Sequence, residues 1–167
     1  MSLHHDVAVR AVIRRRIAAP RERVFQAWTK AEHLQRWFFP TVNSDAAPHV
    51  EVDLRVGGRY CIAMHTPGGN IAAMVGGTYY EVHPPEKLVF SWTWEAPQPD
   101  SSETLVTIEL HEMQGETEVV ITHEHSADPA AQGHHSIGWN CCLERLTYLV
   151  EGVAPRGQTA PADPCRV

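Results

Sequence analysis

The longest helical pattern in the chain lies near its C-terminus, between Asp128 and Gly152. Apolar residues recur there at gaps of three and four, which places them on one face of a helix; they are Trp139, Cys142, Leu143, Leu146, Leu149 and Val150. Asp128 followed by Pro129 is typical of a helix start, and Gly152 of a helix end. Gly138 is expected to let this helix approach a neighbour closely. The pattern therefore predicts one amphipathic helix whose apolar face needs a cover.

Most of the remaining chain alternates between apolar and polar residues, which predicts β-strands. The first strand covers residues 9–17, and the others follow between residues 49 and 125, separated by short turns such as Gly57-Gly58. Strands joined by short turns form a mostly antiparallel sheet. Gly76-Gly77 lies inside the longest of these strands and predicts a bulge or a strong bend there.

Two short helices are predicted between the first strand and the second. Pro20 opens the first of them, and Thr29 with Glu32 forms a capping-box pattern that starts the second. Pro40 ends the second helix. The fold class is therefore α+β: a curved antiparallel sheet of six to seven strands around a long C-terminal helix, with two short helices after strand 1.

Length and composition favour a single domain with a real core, because the chain has 167 residues of which 43% are hydrophobic. The domain is expected to span residues 9–153, between a disordered lead at 1–8 and a flexible tail at 154–167. The formal net charge of −6 has no block of like charge. Nucleic acid is therefore not an expected partner. No apolar run approaches the ~18 residues of a membrane span, so no membrane insertion is expected.

The cysteines and the N-terminal sequence indicate a cytoplasmic protein. The four cysteines are Cys61, Cys141, Cys142 and Cys165, and their spacing fits neither a disulfide framework nor a zinc site. No secretory signal precedes the first strand. Reduced thiols and a cytoplasmic location are therefore expected.

Six segments taken together resemble the Hsp90-ATPase-activator-homologue family of the START-like (Bet v 1-like, polyketide cyclase-like) superfamily. They read "IAAPRERVFQAWTKAEHLQRWF", "DLRVGGRY", "GTYYEVHPPEKLVFSWTWE", "ETLVTIEL", "THEH" and "GWNCCLERLTYLVEG". The resemblance runs from about residue 9 to residue 153. It implies the helix-grip fold, in which a curved sheet grips the C-terminal helix around an apolar cavity. Similar proteins bind lipids, hormones or aromatic polyketides, and eukaryotic members serve as co-chaperones of Hsp90.

The leading hypothesis for function is the binding of an apolar or aromatic small molecule between the sheet and the C-terminal helix. Aromatic rings and adaptable methionines would line such a site. The predicted ligand-binding residues are Trp37, Met64, Met74, Phe90, Trp92, Trp94, His123, His135 and Trp139. Among them His123 and His135 would supply the polar contacts. Simple core packing of the tryptophans and structural hydrogen bonding of the histidines are the alternatives.

Acid–base catalysis of the polyketide cyclase type is a second hypothesis, with His123, His135 and Glu81 as candidate catalytic residues. Glu81 qualifies only if it faces inward, where it would be paired or protonated. The sequence contains no nucleophile signature, phosphate loop or dinucleotide fingerprint. No ligand spacing specifies a metal, so neither a metal nor another cofactor is expected.

Protein partners form a third class of hypothesis. A co-chaperone-like interaction with Hsp90 is implied by the resemblance alone and is the least favoured of the three. An exposed edge strand would in addition support a homodimer.

Overall fold

The computed structural model describes residues 9–38, 48–66, 68–96, 103–125 and 129–152. Its strands are β1 (Val9–Ile17), β2 (His49–Val52), β3 (Arg59–His65), β4 (Ile71–His83), β5 (Lys87–Ala96), β6 (Thr104–Met113) and β7 (Glu116–His125). Its helices are α1 (Arg21–Thr29), α2 (Ala31–Trp37) and α3 (Pro129–Glu151). The predicted disordered lead at 1–8 and the predicted flexible tail at 154–167 both lie outside the described residues.

The strands form one curved antiparallel sheet in the order β1-β7-β6-β5-β4-β3-β2. The first strand pairs with the last, so α3 follows β7 and ends beside the connection between β1 and α1. There Glu151 Oε1 accepts a hydrogen bond of 2.8 Å from the Ala18 backbone N–H. The Arg23 guanidinium donates to the Val150 carbonyl at 3.2 Å. The predicted α+β helix-grip fold, with its long C-terminal helix, is confirmed.

The apolar face predicted for α3 is the face that the core buries. Leu143 and Leu146 are fully buried, whereas Glu144 is exposed. Burial of one such leucine side chain stabilises the fold by about 1.5–3 kcal/mol. The helix ends as predicted: Gly152 has a φ of 69°, and its N–H bonds to the Tyr148 carbonyl at 3.1 Å. A glycine in the left-handed region is the usual helix terminator.

Gly138 in α3 does not serve close packing, contrary to the expectation from sequence. A Cβ atom built on Gly138 meets no atom within 4 Å, and the residue is exposed. A glycine inside a helical pattern indicates close approach only where a neighbouring element comes within reach. At this position none of the described residues does.

We expect Gly138→Ala to stabilise the protein by roughly 0.5–1 kcal/mol, because alanine loses less backbone freedom in a helix than glycine does. Thermal unfolding of the two proteins measures the difference. Gly152→Ala is the matched control and should destabilise, since the φ of 69° is strained for alanine. A lower melting temperature for Gly138→Ala would contradict a continuous helix at this position.

The junction between α1 and α2 differs from the predicted one. Thr29 is the last residue of α1, and its Oγ1 donates to the Phe25 carbonyl at 2.9 Å. It therefore does not cap α2, which begins at Ala31 after Lys30. The prediction was wrong because a threonine hydroxyl can instead bond to the carbonyl four residues earlier in its own helix. The two helices consequently follow each other with a single residue between them.

The irregularities of β4 lie on either side of Gly76-Gly77 and not at the glycines. The register with β5 shifts between Met74 and Val75 and again between Tyr79 and Glu81. The second shift adds one residue to β4, so the alternation of faces reverses after it. Val82 packs against the core as a result, and Glu81 belongs to the outer face.

The structure gives the oxidation state of three cysteines and the hydropathy of the helices. Cys61 and Cys142 are free thiols, whereas Cys141 is disulfide-bonded. The expectation of reduced thiols throughout is therefore wrong for Cys141. None of the helices in the described part of the chain combines the length and the hydropathy of a membrane span.

Candidate functional site

All five tryptophans of the chain lie in one aromatic cluster, which we call the tryptophan cluster. Trp28 and Trp37, from the two short helices, have ring centroids 4.6 Å apart. Trp28 lies 6.0 Å from Trp139 of α3, and Trp139 lies 5.2 Å from Trp92 of β5. Trp92 lies 5.7 Å from Trp94 on the same strand. These separations fall in the attractive range for aromatic pairs. The cluster therefore joins the sheet to all three helices.

His123 lies on β7 against this cluster and is 0% exposed. Trp139 Nε1 donates to His123 Nδ1 at 3.1 Å. Because Nδ1 accepts, the proton of the neutral ring lies on Nε2, which donates to Thr104 Oγ1 at 2.7 Å. The Thr104 hydroxyl in turn donates to the Trp92 carbonyl at 3.2 Å. Both ring nitrogens of His123 thus have protein partners, which supports the structural alternative for this residue.

Glu81, another of the candidate catalytic residues, is not brought to His123. The side chain of His135 lies outside the described residues. Glu81 lies on the outer surface, where its Oε2 is 3.1 Å from Lys87 Nζ and 3.1 Å from His83 Nε2. The hydrogen bond from Lys87 lowers the pKa of Glu81, which keeps the carboxylate ionised where a general acid would need its proton. The inward orientation on which the candidacy of Glu81 depended is therefore not met.

A half-open cavity lies beside the tryptophan cluster, between the two short helices and strands β3–β5. It is lined by Trp28, Leu34, Phe38, Tyr60, Ile62, Tyr79 and Phe90. Its volume is about 20 Å³, and the free space including open solvent at its mouth is about 270 Å³. The enclosed part accommodates one water-sized group. It is far smaller than the roughly 300–1,000 Å³ of a pocket for a drug-sized ligand.

The wall of the cavity is neutral and contains one unpaired donor. The Tyr60 hydroxyl donates to the Ser91 carbonyl at 2.7 Å. Burial raises the pKa of Tyr60 and of Tyr79, so both phenols keep their protons. Trp28 is only 3% exposed, and no acceptor among the described residues reaches its Nε1–H. A buried donor without an acceptor costs about 1–3 kcal/mol. The wall of the cavity therefore includes a tryptophan side chain whose buried N–H has no acceptor among the described residues.

The C-terminal end of α2 is attached to α3 next to this cavity. The Cys142 thiol donates to the Phe38 carbonyl at 2.8 Å. Burial raises the pKa of Cys142 to about 12, so the thiol stays protonated and remains a donor. The Phe38 ring lines the cavity and also lies 5.8 Å from Trp92 and 5.9 Å from Trp139. Phe38 thus separates the cavity from the inner part of the tryptophan cluster.

The predicted ligand-binding residues divide between these two places. Trp37, Trp92, Trp94, Trp139 and His123 meet in or against the tryptophan cluster, between the sheet and the helices. Phe90 lines the cavity. Met64 and Met74 are half-buried on β3 and β4 and do not line it.

Sequence reasoning did not name Trp28, Tyr60 or Tyr79 as site residues, although all three line the cavity. A signal existed for Tyr60, because it shares its strand face with Ile62 and with Met64, which was named. For Trp28 the sequence indicated only that the residue lies on the buried face of a helix. Its place in a cavity depends on how α1 packs against the sheet.

Comparison with known proteins identifies the fold and the family. The model of a family described as activator of Hsp90 ATPase homolog 1-like protein matches residues 18–151. No protein with a curated function matches the chain.

Solved structures of similar proteins share the fold. A protein of Chromobacterium violaceum is 27% identical, with a TM-score of 0.70 over 84% of this chain and 97% of its own. One from Nitrosomonas europaea is 25% identical, with a TM-score of 0.68 over 86% and 95%. One from Arthrobacter aurescens is 20% identical, with a TM-score of 0.73 over 88% of each chain. Their descriptions name no ligand, so they support the fold alone.

Proposed function

Because the chain belongs to the activator of Hsp90 ATPase homolog 1-like family, whose fold commonly binds hydrophobic ligands, we propose that it binds an apolar or aromatic small molecule carrying a hydrogen-bond acceptor. The site is the cavity between the short helices and β3–β5, continued toward the space between the sheet and α3. The observation that carries the proposal is the buried, unpaired Nε1–H of Trp28, a residue whose side chain lines a neutral, aromatic cavity.

The lining of the cavity limits the chemistry of its ligand. All seven lining side chains are uncharged, and a charged ligand would lose its hydration there without gaining a partner. An uncharged acceptor, such as a ketone oxygen, would instead satisfy Trp28 Nε1 at little desolvation cost. The ligand is therefore an uncharged molecule with an apolar, preferably aromatic, body.

The size of the cavity supports entry of only a small part of the ligand. The volume of about 20 Å³ takes the acceptor group and not the whole molecule. The body of the ligand would occupy the mouth and the space that Leu34 and Phe38 fill. Both come from the seven-residue α2 or its end, whereas the opposite wall belongs to hydrogen-bonded strands. Opening by the α2 side is therefore the less costly rearrangement.

Trp28→Phe is expected to abolish the preference for a ligand with an acceptor, because phenylalanine keeps an aromatic ring and lacks the N–H. The measurement is isothermal titration calorimetry with naphthalene and 1-acetylnaphthalene, which differ by one carbonyl group. The wild-type protein should bind the ketone about tenfold more tightly. In Trp28→Phe that ratio should fall to near one.

Trp37→Phe is the matched control for this experiment. Trp37 Nε1 already donates to the Ala27 carbonyl at 2.9 Å, so removal of its N–H should leave the tenfold ratio unchanged. If neither compound binds the wild-type protein, or if Trp28→Phe keeps the full preference for the ketone, the proposed function is wrong.

The alternative hypotheses gain no support from the described residues. A cyclase-type acid–base mechanism would need an inward Glu81 or a histidine nitrogen that is open to a ligand, and His123 and Glu81 supply neither. An Hsp90-type partner follows from the family description alone. Measurement of the Hsp90 ATPase rate in the presence of this protein would test it. The cytoplasmic location and the homodimer stay predictions from the sequence.

A further inference from the structure

A second buried indole donor lies unpaired on the other side of Phe38. Trp92 is 6% exposed, and its Nε1–H meets no acceptor in the described part of the chain. Its ring lies among those of Phe38, Trp139 and His123, at 5.8, 5.2 and 5.7 Å. None of these three rings offers an acceptor to the Trp92 N–H. The indole of Trp139 is itself a donor, and His123 Nδ1 already accepts the hydrogen bond from Trp139 Nε1. The site region therefore has two unmade hydrogen bonds, one at Trp28 and one at Trp92.

Phe38 lies between the cavity that Trp28 lines and the ring of Trp92. Its ring forms part of the wall of the cavity that Trp28 lines, and the same ring packs against Trp92 and Trp139. Its backbone is held to α3 by the Cys142 thiol, so a change of side-chain rotamer can move the ring while the end of α2 stays in place. Movement of this one ring would join the cavity to the space in front of Trp92.

We propose that Phe38 is the specificity-determining residue of the site, and that the preferred ligand is a flat, uncharged aromatic molecule with two hydrogen-bond acceptors. One acceptor bonds to Trp28 Nε1, and the body of the ligand displaces the Phe38 ring. The second acceptor then bonds to Trp92 Nε1. This inference rests on the proposed function, because it concerns the same site. It adds three points to the proposed function: Trp92 as a second donor, the Phe38 ring as the side chain that the ligand displaces, and the chemical class of the ligand.

A ligand with one acceptor leaves Trp92 Nε1 unpaired, so it recovers only half of the available hydrogen bonding. A ligand with two acceptors forms both hydrogen bonds. Each of these bonds satisfies a buried donor that has no partner in the free protein. Truncation of Phe38 should favour the larger ligand, because it creates the space in advance. Removal of an aromatic or large aliphatic side chain from a core can leave an apolar cavity of about 150 Å³ that binds benzene.

The test compares three probes with the same ring system: naphthalene, 1-acetylnaphthalene and 1,5-diacetylnaphthalene. For the wild-type protein each added acetyl group should tighten binding by about tenfold. Trp92→Phe should keep the gain from the first acetyl group and lose the gain from the second. Trp37→Phe removes an N–H that is already bonded to the Ala27 carbonyl, so any effect it has on affinity should be equal for the three probes. Phe38→Ala should bind the diacetyl probe more tightly than the wild-type protein does.

The outcomes separate this inference from the proposed function. If the first acetyl group tightens binding and the second does not, or if Trp92→Phe keeps the second gain, the inference is overturned while the proposed function stands. If none of the three probes binds, both are overturned. A measurement on the unsubstituted protein guards against misfolding of the variants: the Trp92 indole N–H resonance in a ¹H–¹⁵N spectrum should move downfield with the diacetyl probe, as a newly hydrogen-bonded N–H does, and further than it moves with naphthalene. An unchanged Trp92 resonance at saturation also overturns the inference.

Discussion

Replacement of Gly77 by alanine is expected to destabilise the protein by at least about 3 kcal/mol. A Cβ atom on Gly77 would lie 1.9 Å from the Ser91 carbonyl oxygen and 2.7 Å from its carbon. This part of β5 cannot move away easily, because Ser91 O accepts from the Tyr60 hydroxyl and Ser91 Oγ accepts from the Thr78 N–H. The clash would therefore separate β4 from β5 under the cavity. Denaturant unfolding measures the loss.

Gly76→Ala provides the comparison, since it makes the same change one residue away. The nearest atom to a Cβ on Gly76 is Glu95 Oε1 at 2.9 Å, which belongs to a side chain that can turn aside. The Tyr60 carbonyl follows at 3.1 Å. We expect a cost of about 1 kcal/mol for this variant. Equal stability of the two variants would contradict the close approach of β5 to Gly77.

His123→Ala is expected to cost about 3–5 kcal/mol of stability, in the range of other aromatic truncations in cores. The change leaves a cavity against the tryptophan cluster. It also removes the acceptor of the Trp139 N–H and the ring nitrogen bonded to Thr104, and buried groups without partners carry their own penalty. The free energy of unfolding from a denaturant titration is again the measurement.

His83→Ala is the control, because this histidine is exposed and its Nε2 lies 3.1 Å from the surface carboxylate of Glu81. Its effect should stay within about 0.5 kcal/mol. A His123→Ala protein with normal stability and lost affinity for 1-acetylnaphthalene would show instead that His123 contacts the ligand. That result would return the residue to the role that the sequence suggested.

Local patterns were sufficient to predict the fold. The spacing of apolar residues in α3 and the alternation in β1 and β5 each depend on neighbours in the chain, and each places its apolar side chains in the core as predicted. The errors came from local structural details, a β-bulge and a side-chain hydrogen bond, that the pattern of apolar and polar residues does not specify. One additional residue after Tyr79 was enough to turn Glu81 outward, and a single hydroxyl bond assigned Thr29 to α1 and not to α2.

The candidate site was only partly predictable for the same reason. The faces of β5 and α3 indicated that Trp92 and Trp139 would meet, and they do. The cavity depends on four other elements, α2 and β3–β5, closing around Trp28. The binding role of the Trp28 N–H depends on the lack of an acceptor near it in space. An unpaired donor has no signature in sequence, because the tryptophan is the same residue whether its N–H is bonded, as in Trp37, or not.

Native mass spectrometry of the protein purified from its source tests the central claim most directly. We expect a species heavier than the bare chain by the mass of one uncharged, acceptor-bearing aromatic molecule, and loss of most of that species in Trp28→Phe. Added 1-acetylnaphthalene should replace the bound molecule. A protein that carries no small molecule, and that still shows only the mass of the bare chain after 1-acetylnaphthalene is added, would contradict the account.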